Sequence, residues 1–208
     1  MQQTREQKIA RIKAWLGSGS INIFGLPYAG KDTHGRELAE LFDGILLGGG
    51  DILRNSTIPD RVRAIMNQGE LIPTPDYISI VLPYLSNEDF KGRPLILSSV
   101  GRWAGEEEGV IEAAEQSSHP LKIVIHLSID EAAVRRRFER AKTAGDRETR
   151  NDDAEELLNK RLEEYRQKTI PVLESYQQKG LLISIDGLPP REEVLNAIID
   201  ELSKKAAI

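Results

Sequence analysis

Residues 20–35, SINIFGLPYAGKDTHG, constrain this chain more than any other stretch. A short β-type run carrying Ile21, Ile23 and Phe24 leads into a loop bounded by Gly25 and Gly30. Lys31, Asp32 and Thr33 follow, and a helical pattern then runs to Leu41. That order is what a phosphate cradle requires. Glycines let successive backbone N–H groups turn toward one anion, the next helix adds the positive end of its dipole, and Lys31 adds a mobile charge. A tight strand–helix turn with an exposed lysine shares the same letters. The strand before and the helix after favour the cradle.

The remaining chain repeats the alternation. Strand patterns at 44–47, 95–99, 121–127 and 181–185 are separated by helical patterns, with no hairpin signal and no internal repeat. Five strands alternating with helices predict a parallel sheet covered on both faces. Helices are expected at 4–16, 59–69, 76–85, 109–116 and 130–140. A long helix should follow from 153 to 179, interrupted near Pro171, and a last one should span 191–204. His126, inside a strand, is expected to be a core or strand-end residue. Arg135, Arg136, Arg137 and Arg140 make the 130–140 helix strongly basic; a solvated face explains such a run, but Arg136 and Arg140 share one side and can meet a polyanion.

At 208 residues the chain fits one domain, 1–208. With 39% hydrophobic and 29% charged residues it can build a core, which excludes a disordered chain. A net charge of −5 argues against a nucleic-acid surface, and the absence of cysteine excludes disulfides and thiolate metal sites. The first residues lack an apolar signal segment and no 18-residue apolar run occurs, so a cytoplasmic protein away from membranes is expected.

Several ordered motifs carry a family resemblance. The loop Gly25-Leu26-Pro27-Tyr28-Ala29-Gly30-Lys31-Asp32-Thr33-His34 is similar to GxPGxGKGTQ of adenylate kinase and its nucleoside monophosphate kinase relatives. Gly48-Gly49-Gly50-Asp51-Ile52-Leu53-Arg54 resembles their STGDMLR, and Met66 to Pro73 matches their M-x-x-G-x-L-V/I-P. Ser98-Ser99-Val100-Gly101-Arg102 stands where they have DGFPR. Thr149-Arg150-Asn151-Asp152-Asp153 followed by Lys160-Arg161-Leu162-Glu163 resembles their GRVDD and KRLE.

The resemblance implies a P-loop NTPase-type three-layer α/β fold with a five-stranded parallel sheet. It also implies a helical acceptor flap at 48–77, a short lid at 141–153 and an N-terminal helical extension at 1–19. It implies transfer of the ATP γ-phosphoryl group to a nucleoside monophosphate, AMP first, with Mg²⁺ bound through ATP and no structural zinc, in a monomer. Catalytic roles would fall to Lys31, Arg102, Arg136, Arg150 and Arg161. ATP would meet Gly25, Tyr28, Ala29, Gly30, Lys31, Asp32, Thr33, Arg136, Arg140 and Pro189. The acceptor nucleotide would meet Gly49, Arg54, Glu70, Leu71, Ile72, Ser99, Arg102, Glu106, Arg150 and Arg161. Phosphoryl transfer needs alignment and positive charge rather than a general base, which suits so many arginines.

Three positions depart from the family pattern. Ser98 stands in place of the strand-end carboxylate that orients water around magnesium. Asp32, beside Lys31, either takes over that outer-shell contact or only stabilises the helix N-terminus. Glu106 replaces the glutamine that reads adenine, and an ionised carboxylate only accepts hydrogen bonds. An acceptor base other than adenine, a different small acceptor, and a nucleotide-binding protein with little transferase activity are therefore alternatives. Tyr28 replaces a loop glycine and either stiffens the loop or covers the phosphates.

Overall fold

A computed structural model describes residues 3–55, 57–68, 70, 74–80, 82–144 and 155–207. Five strands form one sheet: β1 (Ser20–Gly25), β2 (Ile45–Gly48), β3 (Leu95–Ser98), β4 (Leu121–Ser128) and β5 (Leu182–Asp186). All pairings are parallel, in the order β2-β3-β1-β4-β5. β1 lies at the centre and is buried along its whole length. That explains its apolar letters on both faces, since a parallel strand sandwiched between helices has no solvent side.

Around the sheet stand α1 (Arg5–Leu16), α2 (Lys31–Phe42), α3 (Gly49–Asn55), α4 (Asp60–Asn67), α5 (Thr74–Ile80) and α6 (Glu106–Gln116). α7 (Glu131–Ala144), α8 (Glu155–Glu164), α9 (Ile170–Gln178) and α10 (Arg191–Lys205) complete the set. One face of the sheet carries a core in which Ile21, Ile23, Ile96 and Ile125 meet α1, α2, α7, α8 and α10. The opposite face divides in two. Phe24 and Val124 pack on α9, while Leu95 and Leu97 pack on residues of α3, α4, α5 and α6. The result is the three-layer α/β arrangement expected from the alternation.

Local chemistry accounts for the element ends. Thr4 caps α1 in a reciprocal capping box with Gln7. The helix is no loose appendage: Ile12 and Leu16 are buried in the core, and Lys8 pairs with Asp200 of α10 at 2.7 Å. Gly49 and Gly50 form the opening of α3 itself rather than a loop before it. α6 begins at Glu106, three residues earlier than the apolar pattern indicates, after Gly105 in the left-handed region at φ 93°. Three consecutive glutamates in its first turn face the positive end of the helix dipole and extend it backward.

The long helix expected between 153 and 179 is described from residue 155 and is interrupted. Tyr165–Thr169 form a π-helical turn between α8 and α9. Pro171, second in α9, has no N–H to return to the carbonyl four residues before it, and the ladder widens to bypass it.

Candidate active site

The site is assembled at the carboxyl edge of the sheet, where ligands lie in open α/β folds. β1 ends at Gly25 and the chain turns into α2, whose N-cap Gly30 is left-handed at φ 101°. Lys31, first in α2, folds back so that Nζ donates to the carbonyls of Gly25 and Leu26, each at 2.9 Å. The ammonium is therefore held at the rim of the loop. β3 ends at Ser98, and Ser99 and Gly101 both take positive φ in the turn that follows (53° and 76°). Gly101 leaves no alternative, because a Cβ there would lie 2.6 Å from Val110.

Asn22, buried in the middle of β1, ties this second turn to the first strand. Its Nδ2 donates to the Val100 carbonyl at 2.7 Å and its Oδ1 accepts from the Val100 N–H at 3.3 Å. The Gly101 N–H donates to the Tyr77 hydroxyl at 2.6 Å, joining the turn to α5. Glu106 Oε2 accepts from the N–H groups of Arg102 (2.8 Å) and Trp103 (3.1 Å), while Thr169 of the π turn donates to the Arg102 carbonyl at 3.3 Å. The backbone of Arg102 is thus gripped on both sides.

A cleft of about 230 Å³ opens between these turns. Gly25, Lys31, Asp32, Gly49, Glu70, Ser99, Arg102, Glu106 and Arg161 from the expected set line it, with Ser98, Tyr77 and Trp103. Ser98 donates to Asp32 Oδ1 at 2.7 Å. Tyr28, Ala29, Gly30 and Thr33 belong to the adjoining loop and first helical turn without lining the cleft. Arg136 and Arg140 sit exposed on α7, and Pro189 lies in the turn before α10; none of the three lines the cleft. Leu71, Ile72 and Arg150 lie outside the described residues. Arg54 is on α3, and its side chain likewise falls outside the description.

The cleft sets three cationic side chains, Lys31, Arg102 and Arg161, against three carboxylates, Asp32, Glu70 and Glu106. Burial, and then the like charge of Arg161, push the Arg102 guanidinium below its ordinary range. Two guanidiniums lining one cleft favour a ligand that brings negative charge. Glu70 is held below the usual carboxylate range by Lys160 of α8, paired at 2.6 Å, so α8 is tied to the chain three residues past the end of α4. Lys168 lies over the Trp103 ring, 4.1 Å from its centroid.

Sequence reasoning passed over Asn22, Tyr77, Thr169 and Arg137. Only Asn22 carried a signal, an amide between Ile21 and Ile23 in the central strand. Among the described residues no group of three or more His, Cys, Asp or Glu side chains is arranged to hold a metal ion, and no helix is long and apolar enough to cross a membrane.

Such an arrangement suits one class of α/β protein, the P-loop kinases that phosphorylate small acceptors. A family model described as adenylate kinase matches residues 23–181. The chain belongs to the adenylate kinase family. An adenylate kinase of Rhizobium meliloti is 33% identical over 174 residues, spanning 80% of this chain and 90% of the relative. One of Agrobacterium fabrum is 32% identical over 193 residues (89% and 98%), and one of Thermodesulfovibrio yellowstonii is 28% identical over 212 residues (88% and 98%).

Proposed function

We propose that the chain transfers the γ-phosphoryl group of ATP to AMP, reversibly, giving two ADP. The bond between the γ-phosphorus and the β–γ bridging oxygen breaks as one forms to an α-phosphate oxygen of AMP. The observation that carries this reading is that one cleft brings Lys31 of the phosphate loop together with Arg102 and Arg161 from two other elements. A loop alone binds one phosphate chain; the added guanidiniums give a second phosphate a place in line with the first.

In this reading the loop amides and Lys31 hold the β- and γ-phosphates, with Lys31 exchanging its two carbonyl partners for phosphate oxygens. Arg54 and Arg102 grip the acceptor phosphate. Arg136, Arg140, Arg150 and Arg161 gather charge around the group in transit as the segment at 141–153 closes and excludes water. Residues 48–77 serve as the acceptor flap. Gly49, Glu70, Leu71, Ile72, Ser99 and Glu106 surround the acceptor, and Pro189 lies on the adenine side of ATP. The protein would act as a cytoplasmic monomer.

Magnesium fits the donor set. A carboxylate and a hydroxyl, from Asp32 and Ser98, line the cleft at the start of α2 and the end of β3, with the Thr33 hydroxyl next along α2 outside it. Mg²⁺ is commonly held by one or two such oxygen ligands plus substrate phosphates. Bound through ATP, it would supply positive charge against the donor phosphates. Asp32 would meet its water shell.

A coupled assay of ADP formed from ATP with AMP, GMP, CMP or UMP, in Mg²⁺, tests the proposal. AMP is expected to be the best acceptor. No ADP with any acceptor overturns it.

A further inference from the structure

Tyr28 sits in the phosphate loop at φ 62°, the left-handed region where an L side chain is uncommon and strained. Something has to hold it there. Its ring meets Phe138 of α7 edge to face, with centroids 5.6 Å apart and planes at 77°. Phe138 is itself buried, so the contact is anchored in the core. The preceding residue of the same helix, Arg137, fastens the backbone. Its Nη1 donates to the carbonyls of Tyr28 and Ala29 at 3.2 and 3.3 Å, and its Nη2 donates to the Gly187 carbonyl at 2.6 Å.

One planar guanidinium therefore spans two loops, the phosphate cradle and the turn between β5 and α10. The second loop is tightly seated. Gly187 donates to the Ser128 carbonyl at 2.8 Å, and a Cβ on it would come within 2.9 Å of Ile129. In a trans peptide the N–H points opposite to the C=O. Holding the Ala29 carbonyl on Arg137 thus fixes the Gly30 N–H away from that side chain.

We propose that Tyr28, Phe138 and Arg137 form a clamp that presets the phosphate loop for ATP, with Arg137 as a positioning residue. The inference rests on the assignment of that loop to the donor triphosphate. A loop ordered before the ligand arrives gives up less conformational entropy on binding. Where a glycine would leave the loop loose, this chain stiffens it from α7 and aligns it with the 187 turn. Nothing in the clamp belongs to the turn that carries Arg102 and Glu106, so acceptor binding should not sense it.

The experiment is titration calorimetry of ATP and, separately, AMP on the full chain and on Y28G, F138L and R137K, with amide exchange of residues 26–30 measured in the absence of nucleotide. Y28G removes the ring contact with Phe138 and is expected to weaken ATP about two- to fivefold, the scale of one aromatic pair offset in part by relief of the positive-φ strain. R137K keeps the charge but loses the fork, and should weaken ATP about five- to tenfold, as one or two lost hydrogen bonds would. F138L should act in the same direction as Y28G. Exchange at 26–30 should quicken in all three, and AMP affinity should stay within about twofold, since no acceptor contact is removed. Variants that bind ATP as the parent does, or more tightly, overturn the clamp. A parent chain that takes up no ATP overturns the donor assignment and the clamp together.

Discussion

The Ser98 hydroxyl, at the end of β3, donates a 2.7 Å hydrogen bond to Asp32 Oδ1, in the first turn of α2. A strand end without a carboxylate thus borrows one from the neighbouring helix and fixes its position. A carboxylate lining a phosphate cleft repels the ligand unless a cation lies between them. Asp32→Asn keeps the shape and the bond to Ser98 while removing the charge. It is expected to abolish magnesium-dependent turnover while ATP affinity without metal stays the same or tightens, since the repulsion is gone. Turnover equal to the parent's would reject the role of Asp32.

Glu106 Oε2 is already engaged by the Arg102 and Trp103 amides. A glutamine there can still accept from both through its oxygen, though without the charge that strengthens such bonds. Glu106→Gln is therefore expected to slow all four acceptors by a similar factor, up to about tenfold, with AMP still first. A change in the order of AMP, GMP, CMP and UMP would show instead that Glu106 selects the base.

Asn22→Leu replaces a fully buried amide that satisfies both backbone groups of Val100. Each orphaned group costs about 1–3 kcal/mol, and for a chain of this size, at about 2–4 °C per kcal/mol, the two together correspond to a fall in Tm of roughly 4–24 °C. Because the same turn carries Ser99 and Arg102, kcat should fall as well. Thermal unfolding and the coupled assay measure the two effects, and a variant unchanged in both would remove Asn22 from the account.

His34 and His126 share a direction. Burial lowers both below the ordinary 6.5, with Glu37 opposing the shift at His34 and Lys31 adding to it at His126. The unfolded chain then binds more protons than the folded one below that value, so these groups destabilise the fold as pH falls through 6.5. His126 is also bonded to the Tyr165 hydroxyl at 3.0 Å, and burial raises that phenol to about 12. Urea midpoints are expected to drop between pH 7 and 5, and less steeply in His126→Gln. Midpoints that rise on acidification would contradict this.

Much of the fold could be read from the chain because periodicity and punctuation are local. The strand–loop–helix unit at 20–35, the order of the elements and the break near Pro171 are all written in neighbouring letters. What escaped is rotational and long-range. Arg135, Arg136 and Arg137 are the same letter three times, yet each helical residue turns about 100° from the last. Arg135 reaches Asn159 at 2.8 Å, Arg136 is exposed, and Arg137 turns inward onto loop carbonyls. Only the middle one of that run was assigned a role from its spacing to Arg140. In the same way Glu106 can be placed near an acceptor by its distance from Arg102, but its hold on two amides follows from where α6 begins.

The π turn has a topological result of its own. Leu158 and Leu162, before it, are buried on one side of the sheet, whereas Val172, Leu173 and Tyr176, after it, cover Phe24 and Val124 on the other. A single rod therefore rivets the two outer layers together across the sheet's edge, and its extra residue sets the twist between the two ends. Deleting one residue from 165–169 would swing the second half by about 100°, prising α9 off the hydrophobic surface it seals while α8 stayed seated.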